Sequence, residues 1–215
     1  MSAQKTALVL LSLCCAALQS WAQSRESAIT LKLTSSAFAD AGEIPAKYTC
    51  EGQDVSPPLA WSGVPSNARS LALIVDDPDA PDPAAPAMTW VHWVLYGLPP
   101  DAGTLPEGTR TLPPGTRQGS NDWQRTGYGG PCPPVGRHRY FFKLYALDAL
   151  LPDLGAASKA KLEAAMKQHV IARAELVGTY RKRRCWIVLE LMVGAARFEL
   201  ATTCTPCAVG EMRDF

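Results

Sequence analysis

The amino-acid sequence predicts a mainly β protein in which antiparallel strands are accompanied by a peripheral helix. Its apolar segments are short, and several alternate apolar with polar side chains, which is typical of half-buried strands. Sixteen glycines and 18 prolines lie between these segments and predict frequent turns. Only one segment has the apolar spacing of a helix. The length of 215 residues suits one domain with additional segments at its ends.

Five segments are predicted to form strands. Residues 29–34 alternate apolar and polar side chains, whereas residues 71–75 are continuously aliphatic and suit a strand buried on both faces. Aromatic and β-branched residues favour strands at 90–95 and 139–147. A closing strand is predicted at 174–180.

One helix is predicted, at residues 158–170. Leu162, Met166 and His169 share one face of it, and Ser158 is a suitable N-cap. We therefore expect His169 to be a packing residue of the helix.

The two ends of the chain differ from the middle. Residues 1–22 have the pattern of a signal peptide, with Lys5 before an apolar run and the small residues Ser20 and Ala22 at the cleavage positions. The domain is then expected at 23–180, in a periplasmic or secreted protein. Residues 181–215 form an atypical tail, which we interpret as a disordered read-through or frameshift product. The alternative is a segment that binds a membrane surface or a partner.

Cysteine usage and charge narrow the function classes. Cleavage after Ala22 would leave five of the seven cysteines, and Cys50 and Cys132 could then form a disulfide or remain two buried thiols. The formal net charge of +1 provides no basic excess for neutralising phosphates, so nucleic acid is not an expected partner.

Two of the three histidines are predicted to lie in strands beside aromatic residues. Alternation places Trp90 and His92 on one strand face, with Val91 and Trp93 on the other, and likewise pairs His138 with Tyr140. If the two faces meet, they form a small pocket walled by rings. Arg139 falls on the opposite face, where an ion pair is expected.

Stiff loops precede both histidine strands. Asp77-Pro78-Asp79-Ala80-Pro81 precedes the first, and a loop with Pro133 and Pro134 precedes the second. Protonated imidazoles and free backbone N–H groups would suit a phosphate or carboxylate, and an aspartate beside a histidine would orient its ring. The alternative is structural: Asp-Pro-Asp is a common turn, and strand histidines often belong to the core.

These segments resemble the phosphatidylethanolamine-binding protein family, specifically its bacterial, Raf-kinase-inhibitor-like branch. The resemblance runs from about residue 29 to 180, and its most specific motifs are Asp76-Asp77-Pro78-Asp79-Ala80-Pro81, Trp90-Val91-His92-Trp93-Val94 and Gly136-Arg137-His138-Arg139-Tyr140. It implies an antiparallel Greek-key β-sandwich with one or two peripheral helices. Carried over position by position, it also implies an anion-binding pocket of Asp77, Pro81, Trp90, His92, Pro133, Pro134, His138 and Tyr140.

The expected function is therefore binding of a small phosphorylated or carboxylated ligand, with His92 and His138 donating hydrogen bonds and Asp77 orienting a histidine. No cofactor, metal or enzymatic activity is expected. The alternatives are a protease or kinase inhibitor module, which would need a protein partner, and a hydrolase with an Asp–His pair, to which Cys132 could add a thiol. Membrane contact and a homodimer are left open. The chain departs from the family in continuing past Tyr180, and in a loop before His138 that is shorter than in eukaryotic relatives.

Overall fold

The computed structural model describes residues 30–183, which form nine strands and two short helices. The predicted signal peptide and the tail beyond residue 183 lie outside the described residues. Within 30–183, no helix combines the length and apolarity that crossing a membrane requires. The strands are β1 (Lys32–Thr34), β2 (Gly42–Glu43), β3 (Leu59–Ser62), β4 (Ser70–Asp77), β5 (Trp90–Leu98), β6 (Thr104–Leu105), β7 (Arg117–Gln118), β8 (His138–Leu147) and β9 (Val170–Tyr180). The helices are a 3-10 turn (Ala46–Tyr48) and α1 (Lys159–Met166).

The strands form two sheets. A three-stranded sheet has the order β1-β3-β6, and a six-stranded sheet has the order β2-β9-β8-β4-β5-β7. The mainly β class with one α-helix is confirmed, but the antiparallel prediction is wrong at one edge, where β2 runs parallel to β9. The Greek-key order of the connections stays a prediction.

The larger sheet is covered on both faces. One face contacts the small sheet through a core that contains Leu33 and Trp61 of the small sheet and Leu73 and Phe142 of the large one. The other face packs against α1. Strand β4 is buried at every position because it lies in the middle of this arrangement, as its continuous apolar run predicts.

The helix is shorter than predicted. Ser158 is the N-cap, its hydroxyl accepting from the Lys161 amide, and Leu162 and Met166 are buried as expected. The prediction for His169 is wrong: the helix ends at Met166, and His169 lies just before β9 with its side chain 43% exposed and paired with Asp148. The pairing of Val170 with Leu147 starts a strand where the apolar spacing alone would continue a helix.

Candidate functional site

A cavity of about 310 Å³ opens where three strand ends meet. Asp77 ends β4, Trp90 begins β5 and His138 begins β8, and antiparallel pairing of β4 with both neighbours brings these ends to one edge of the sheet. The lining residues are Asp77, Ala80, Pro81, Met88, Trp90, His92, Trp123, Cys132, Pro133, Pro134 and His138. Seven of the eight predicted site residues are among them.

The eighth, Tyr140, packs behind the cavity rather than lining it. It is 1% exposed, and its ring lies 5.1 Å from that of His92 and 6.5 Å from that of His138, measured between centroids. Its hydroxyl is buried without a hydrogen-bond partner among the described residues, and burial raises its pKa. Tyr140 therefore supports the two histidines from behind.

A β-bulge at His92 determines which face of the sheet each neighbouring side chain of β5 lies on. Val75 pairs with Trp93 while Asp76 pairs with Val91, so that His92 is an extra residue on β5. Trp93 consequently belongs to the core between the sheets, and Val91 to the core beneath α1. The prediction that Val91 and Trp93 share a face is wrong because simple alternation does not extend through a bulge.

Asp77 and His138 form a buried pair. The Asp77 Oδ2 atom lies 2.7 Å from His138 Nδ1, and the two side chains are 5% and 0% exposed. The other imidazole nitrogen, Nε2, lies 2.9 Å from the Val135 carbonyl oxygen. A carbonyl only accepts, so Nε2 carries a hydrogen, and one further proton joins Nδ1 to the carboxylate. The pair as a whole is thus electrically neutral.

This arrangement changes the role of His138. Both of its nitrogens are occupied within the protein, so the expectation that it donates to a bound anion is wrong for this geometry. Asp77 orients it, and also accepts a hydrogen bond from the Asp79 amide at 2.8 Å. Burial raises the pKa of Asp77, although the hydrogen bonds from His138 and the Asp79 amide oppose that effect.

His92 is held in one tautomer by the neighbouring loop. Its Nδ1 lies 2.7 Å from the Gly129 carbonyl oxygen, and the Gly129 amide donates back to the His92 carbonyl at 3.0 Å. Nδ1 therefore carries the hydrogen. Burial lowers the pKa of His92 to about 4, so that its ring is neutral near pH 7. Its Nε2 is then a lone-pair acceptor, and the described residues offer no hydrogen bond to it.

The proline loop before β8 is anchored by a disulfide. Cys50 and Cys132 are bonded, and the Cys50 amide donates to the Pro131 carbonyl, so the alternative of two free thiols is wrong. At Gly136, φ is 75° and a Cβ would lie 2.7 Å from the Pro83 ring. Only glycine fits such a position without strain.

Asp79 has a separate, structural role. The Arg139 side chain donates to it at 2.9 and 2.6 Å, and the Arg139 amide at 2.9 Å. These bonds lower the pKa of Asp79. The predicted ion pair of Arg139 is confirmed, and it ties the Asp-Pro-Asp loop to β8.

Four lining residues lie outside the predicted eight: Ala80 and Cys132, which adjoin predicted residues in the two loops, and Met88 and Trp123, which were not predicted at all. The Trp123 ring makes edge contacts with Trp90 and His92 at 5.4 and 5.1 Å. It packs so closely on Gly129 that a Cβ there would lie 2.5 Å from the ring. The detectable signal was Asn121-Asp122 just before Trp123, because Asn121 Oδ1 accepts from the Trp123 amide as in an Asx turn.

A basic groove adjoins the cavity and shares Pro133 and Pro134 with it. Its charged lining residues are Glu43, Arg137, Arg181, Lys182 and Arg183. Glu43 pairs with Arg137 at 3.2 Å. The groove therefore has a net positive charge beside the cavity mouth.

The chemistry available in the cavity is hydrogen bonding between apolar walls. Its charged pair is neutral overall, and His92 provides an acceptor. Within residues 30–183, no three His, Cys, Asp or Glu side chains are grouped as a metal site would require.

Comparisons with known proteins agree with this fold. The family model described as "Phosphatidylethanolamine-binding protein" matches residues 34–181. A UPF0098 protein of Methanothermobacter thermautotrophicus is 50% identical over 162 residues, which cover 71% of this chain and 99% of that protein. A crystal structure of a phosphatidylethanolamine-binding protein homologue from Chlamydia trachomatis is 45% identical with a TM-score of 0.67, covering 72% of this chain and 99% of that one. Escherichia coli YbcL, described as a member of the mammalian family, is 32% identical with a TM-score of 0.65, covering 71% and 99%.

Proposed function

Because this chain belongs to the phosphatidylethanolamine-binding protein family, we propose that it binds a small phosphorylated or carboxylated molecule in the cavity between β4, β5 and β8. The observation that carries the proposal is His92, a nearly buried ring that lines the cavity and whose Nε2 has no hydrogen bond within residues 30–183. Buried polar atoms normally have partners, so a free one at a cavity wall is available to a ligand.

The rest of the cavity limits the size and character of the ligand. A volume of about 310 Å³ is at the lower end for small-molecule sites and suits a head group or metabolite rather than an entire lipid. Trp90, Trp123 and Met88 provide apolar contact. The buried Asp77–His138 pair and the proline loop hold the walls in place, so the site is largely formed before binding.

The basic groove supports an anionic ligand. Arg181, Lys182 and Arg183 begin the segment that the sequence analysis interprets as an atypical tail, yet they line the groove that shares Pro133 and Pro134 with the cavity. Among the described residues that line the groove, Glu43 is the only acidic one. A positive potential next to a site raises the local concentration of anions and their rate of association. The groove therefore favours anions at the entrance, while the interior selects among them.

Location outside the cytosol is part of the same proposal. The disulfide between Cys50 and Cys132 supports it because such bonds persist mainly in oxidising compartments. The predicted signal peptide at residues 1–22 agrees with that location.

The proposal is for a binding protein rather than an enzyme. The hydrolase alternative relies on an Asp–His pair, and the thiol that Cys132 could have added to it is bonded to Cys50. A second candidate function, inhibition or regulation of a partner protein, is favoured by one observation: Met88, Trp123 and Val135 are large apolar residues that are 52%, 38% and 46% exposed around the cavity and groove. Exposed apolar residues grouped in this way are typical of contact surfaces.

The proposal can be tested by histidine NMR, since the chain contains only three histidines. Ring C–H signals are followed while phosphoethanolamine is added to the full chain at pH 6.5. The signals of His92 and His138 should shift and saturate, whereas that of His169 should not move; His169→Gln identifies its signal. Unchanged signals at millimolar ligand would contradict the proposal, and binding of a partner protein that survives His92→Gln would favour the second candidate.

A further inference from the structure

The free nitrogen of His92 faces the ligand as an acceptor and not as a donor. The Gly129 carbonyl, 2.7 Å from Nδ1, requires the hydrogen to be on that nitrogen. Because the ring is 3% exposed, a second proton on Nε2 would place a charge in a poorly solvated position. A ligand oxygen that carries no hydrogen could not form a hydrogen bond with Nε2, because both atoms would present lone pairs and repel each other.

Because the His92 ring is uncharged, an anionic ligand would need a positive charge from another group, and the charged groups near His92 are already paired. Asp76 of β4 is paired with Lys143 and Lys159, and Asp54 is bonded to the Gly130 amide and to Arg125. His138 of β8 is neutralised by Asp77. Tyr140 and Trp123, which pack against the His92 ring, are uncharged. Among residues 30–183, those that line the cavity include no lysine or arginine.

We propose that this cavity selects oxyanions that carry their own O–H, which donates to His92 Nε2. The inference rests on the proposed function and narrows its ligand class to inorganic phosphate and phosphomonoesters. Sulfate and phosphodiesters, including the head group of an intact phospholipid, have no such hydrogen at neutral pH and are disfavoured. Where a monoester has lost its last proton, one proton enters from the solvent on binding and is held between the ligand oxygen and Nε2.

Isothermal titration calorimetry on the full chain at pH 7.5 tests this with two pairs of probes. Inorganic phosphate is compared with sulfate, which has nearly the same shape, and phosphoethanolamine with glycerophosphoethanolamine, its diester. Loss of the hydrogen bond to His92 Nε2 at the cavity wall is expected to weaken the binding of sulfate and of the diester at least about tenfold in Kd. The second pair also separates a free phosphomonoester from a lipid head group as the source of the phosphate.

Proton uptake is an independent measurement. Phosphomonoesters lose their second proton near a pKa of about 6. Titrations with phosphoethanolamine at pH 7.5 in two buffers of different ionisation enthalpy should therefore show uptake approaching one proton per site. The variant His92→Gln, whose amide can donate, should reduce both the uptake and the preference for phosphate. The exposed His169→Gln is the control and should change neither.

The outcomes distinguish the two proposals. If neither phosphate nor phosphoethanolamine binds, the proposed function fails and this inference fails with it. If both bind but sulfate binds within threefold of phosphate, or the proton uptake is absent, the binding function stands and the selection by His92 is wrong. Even if His92→Gln does not fold, the comparison of ligands on the unaltered chain tests whether the cavity selects oxyanions that carry an O–H.

Discussion

The buried Asp77–His138 pair can be tested by two substitutions that differ only in hydrogen bonding. Asp77→Ala removes the acceptor of His138 Nδ1 at 2.7 Å and that of the Asp79 amide at 2.8 Å. Asp77→Asn retains the shape. In that variant the asparagine oxygen can accept from the Asp79 amide while its NH₂ group donates to Nδ1, and His138 keeps its hydrogen on Nε2 for the Val135 carbonyl.

The two variants should therefore differ in cost. Breaking a buried ion pair by deleting one member costs roughly 3–5 kcal/mol, and both side chains here are 5% exposed or less. In Asp77→Asn every hydrogen bond keeps a partner, so the variant loses mainly the additional strength of a hydrogen bond to a charged group, about 1 kcal/mol. We expect Asp77→Ala to lower the free energy of unfolding by at least about 3 kcal/mol and Asp77→Asn by about 1 kcal/mol.

Urea unfolding of the full chain at pH 7 measures both costs, provided that the slope with urea stays unchanged. The matched control is Asp148→Asn: Asp148 pairs with His169 at 2.9 Å, but those side chains are 46% and 43% exposed. An exposed pair contributes about 1 kcal/mol or less. Equal losses for Asp77→Asn and Asp77→Ala would refute the hydrogen-bond account and leave charge as the cause. A loss at Asp148 as large as at Asp77→Ala would refute the importance of burial.

Two further predictions concern His92 and the disulfide. Since burial lowers the pKa of His92 from 6.5 to about 4, the unfolded chain binds a proton before the folded one as the pH falls. His92 should therefore make unfolding about 3 kcal/mol easier between pH 7 and pH 4, and urea curves of His92→Gln should lack that part of the acid sensitivity; an unchanged pH dependence would contradict the burial argument. Replacing both Cys50 and Cys132 by alanine opens a loop with a sequence separation of 82 residues and should cost roughly 2–5 kcal/mol. The cost should match that of reducing the unaltered protein, and stability equal to the oxidised form would contradict it.

Much of the fold follows from local patterns. The continuous apolar run before Asp76 predicts a strand with both faces covered, and β4 is such a strand. The ends of α1 show the limit of such patterns. Helical spacing extends to His169, but pairing of Val170 with Leu147 starts β9 and leaves His169 at the surface.

In the candidate site, too, local sequence patterns predicted some features and missed others. Strand periodicity placed each histidine beside an aromatic residue but left open whether the two strand faces meet, and in the structure both histidine rings lie against Tyr140. It did not reveal the bulge at His92, because a bulge is defined by the register of the neighbouring strand. It also missed Trp123, whose loop has no periodicity and reaches the cavity through long-range bonds, such as that from the Val91 amide to Asp122 at 2.7 Å.

Side-chain alternation and the backbone limits of proline and glycine are properties of the sequence, and they predict the mainly β class and the two histidine strands. The full set of pocket residues followed from the family resemblance. What those residues can do chemically depends on how the chain packs around them. Whether an imidazole donates or accepts depends on the atoms 3 Å away, and these come from distant parts of the chain: Asp77 and Val135 occupy His138, and Gly129 turns His92 into an acceptor. Hydrogen-bond direction and burial are properties of the packed neighbours, so the same two histidines acquire different chemistry within one cavity.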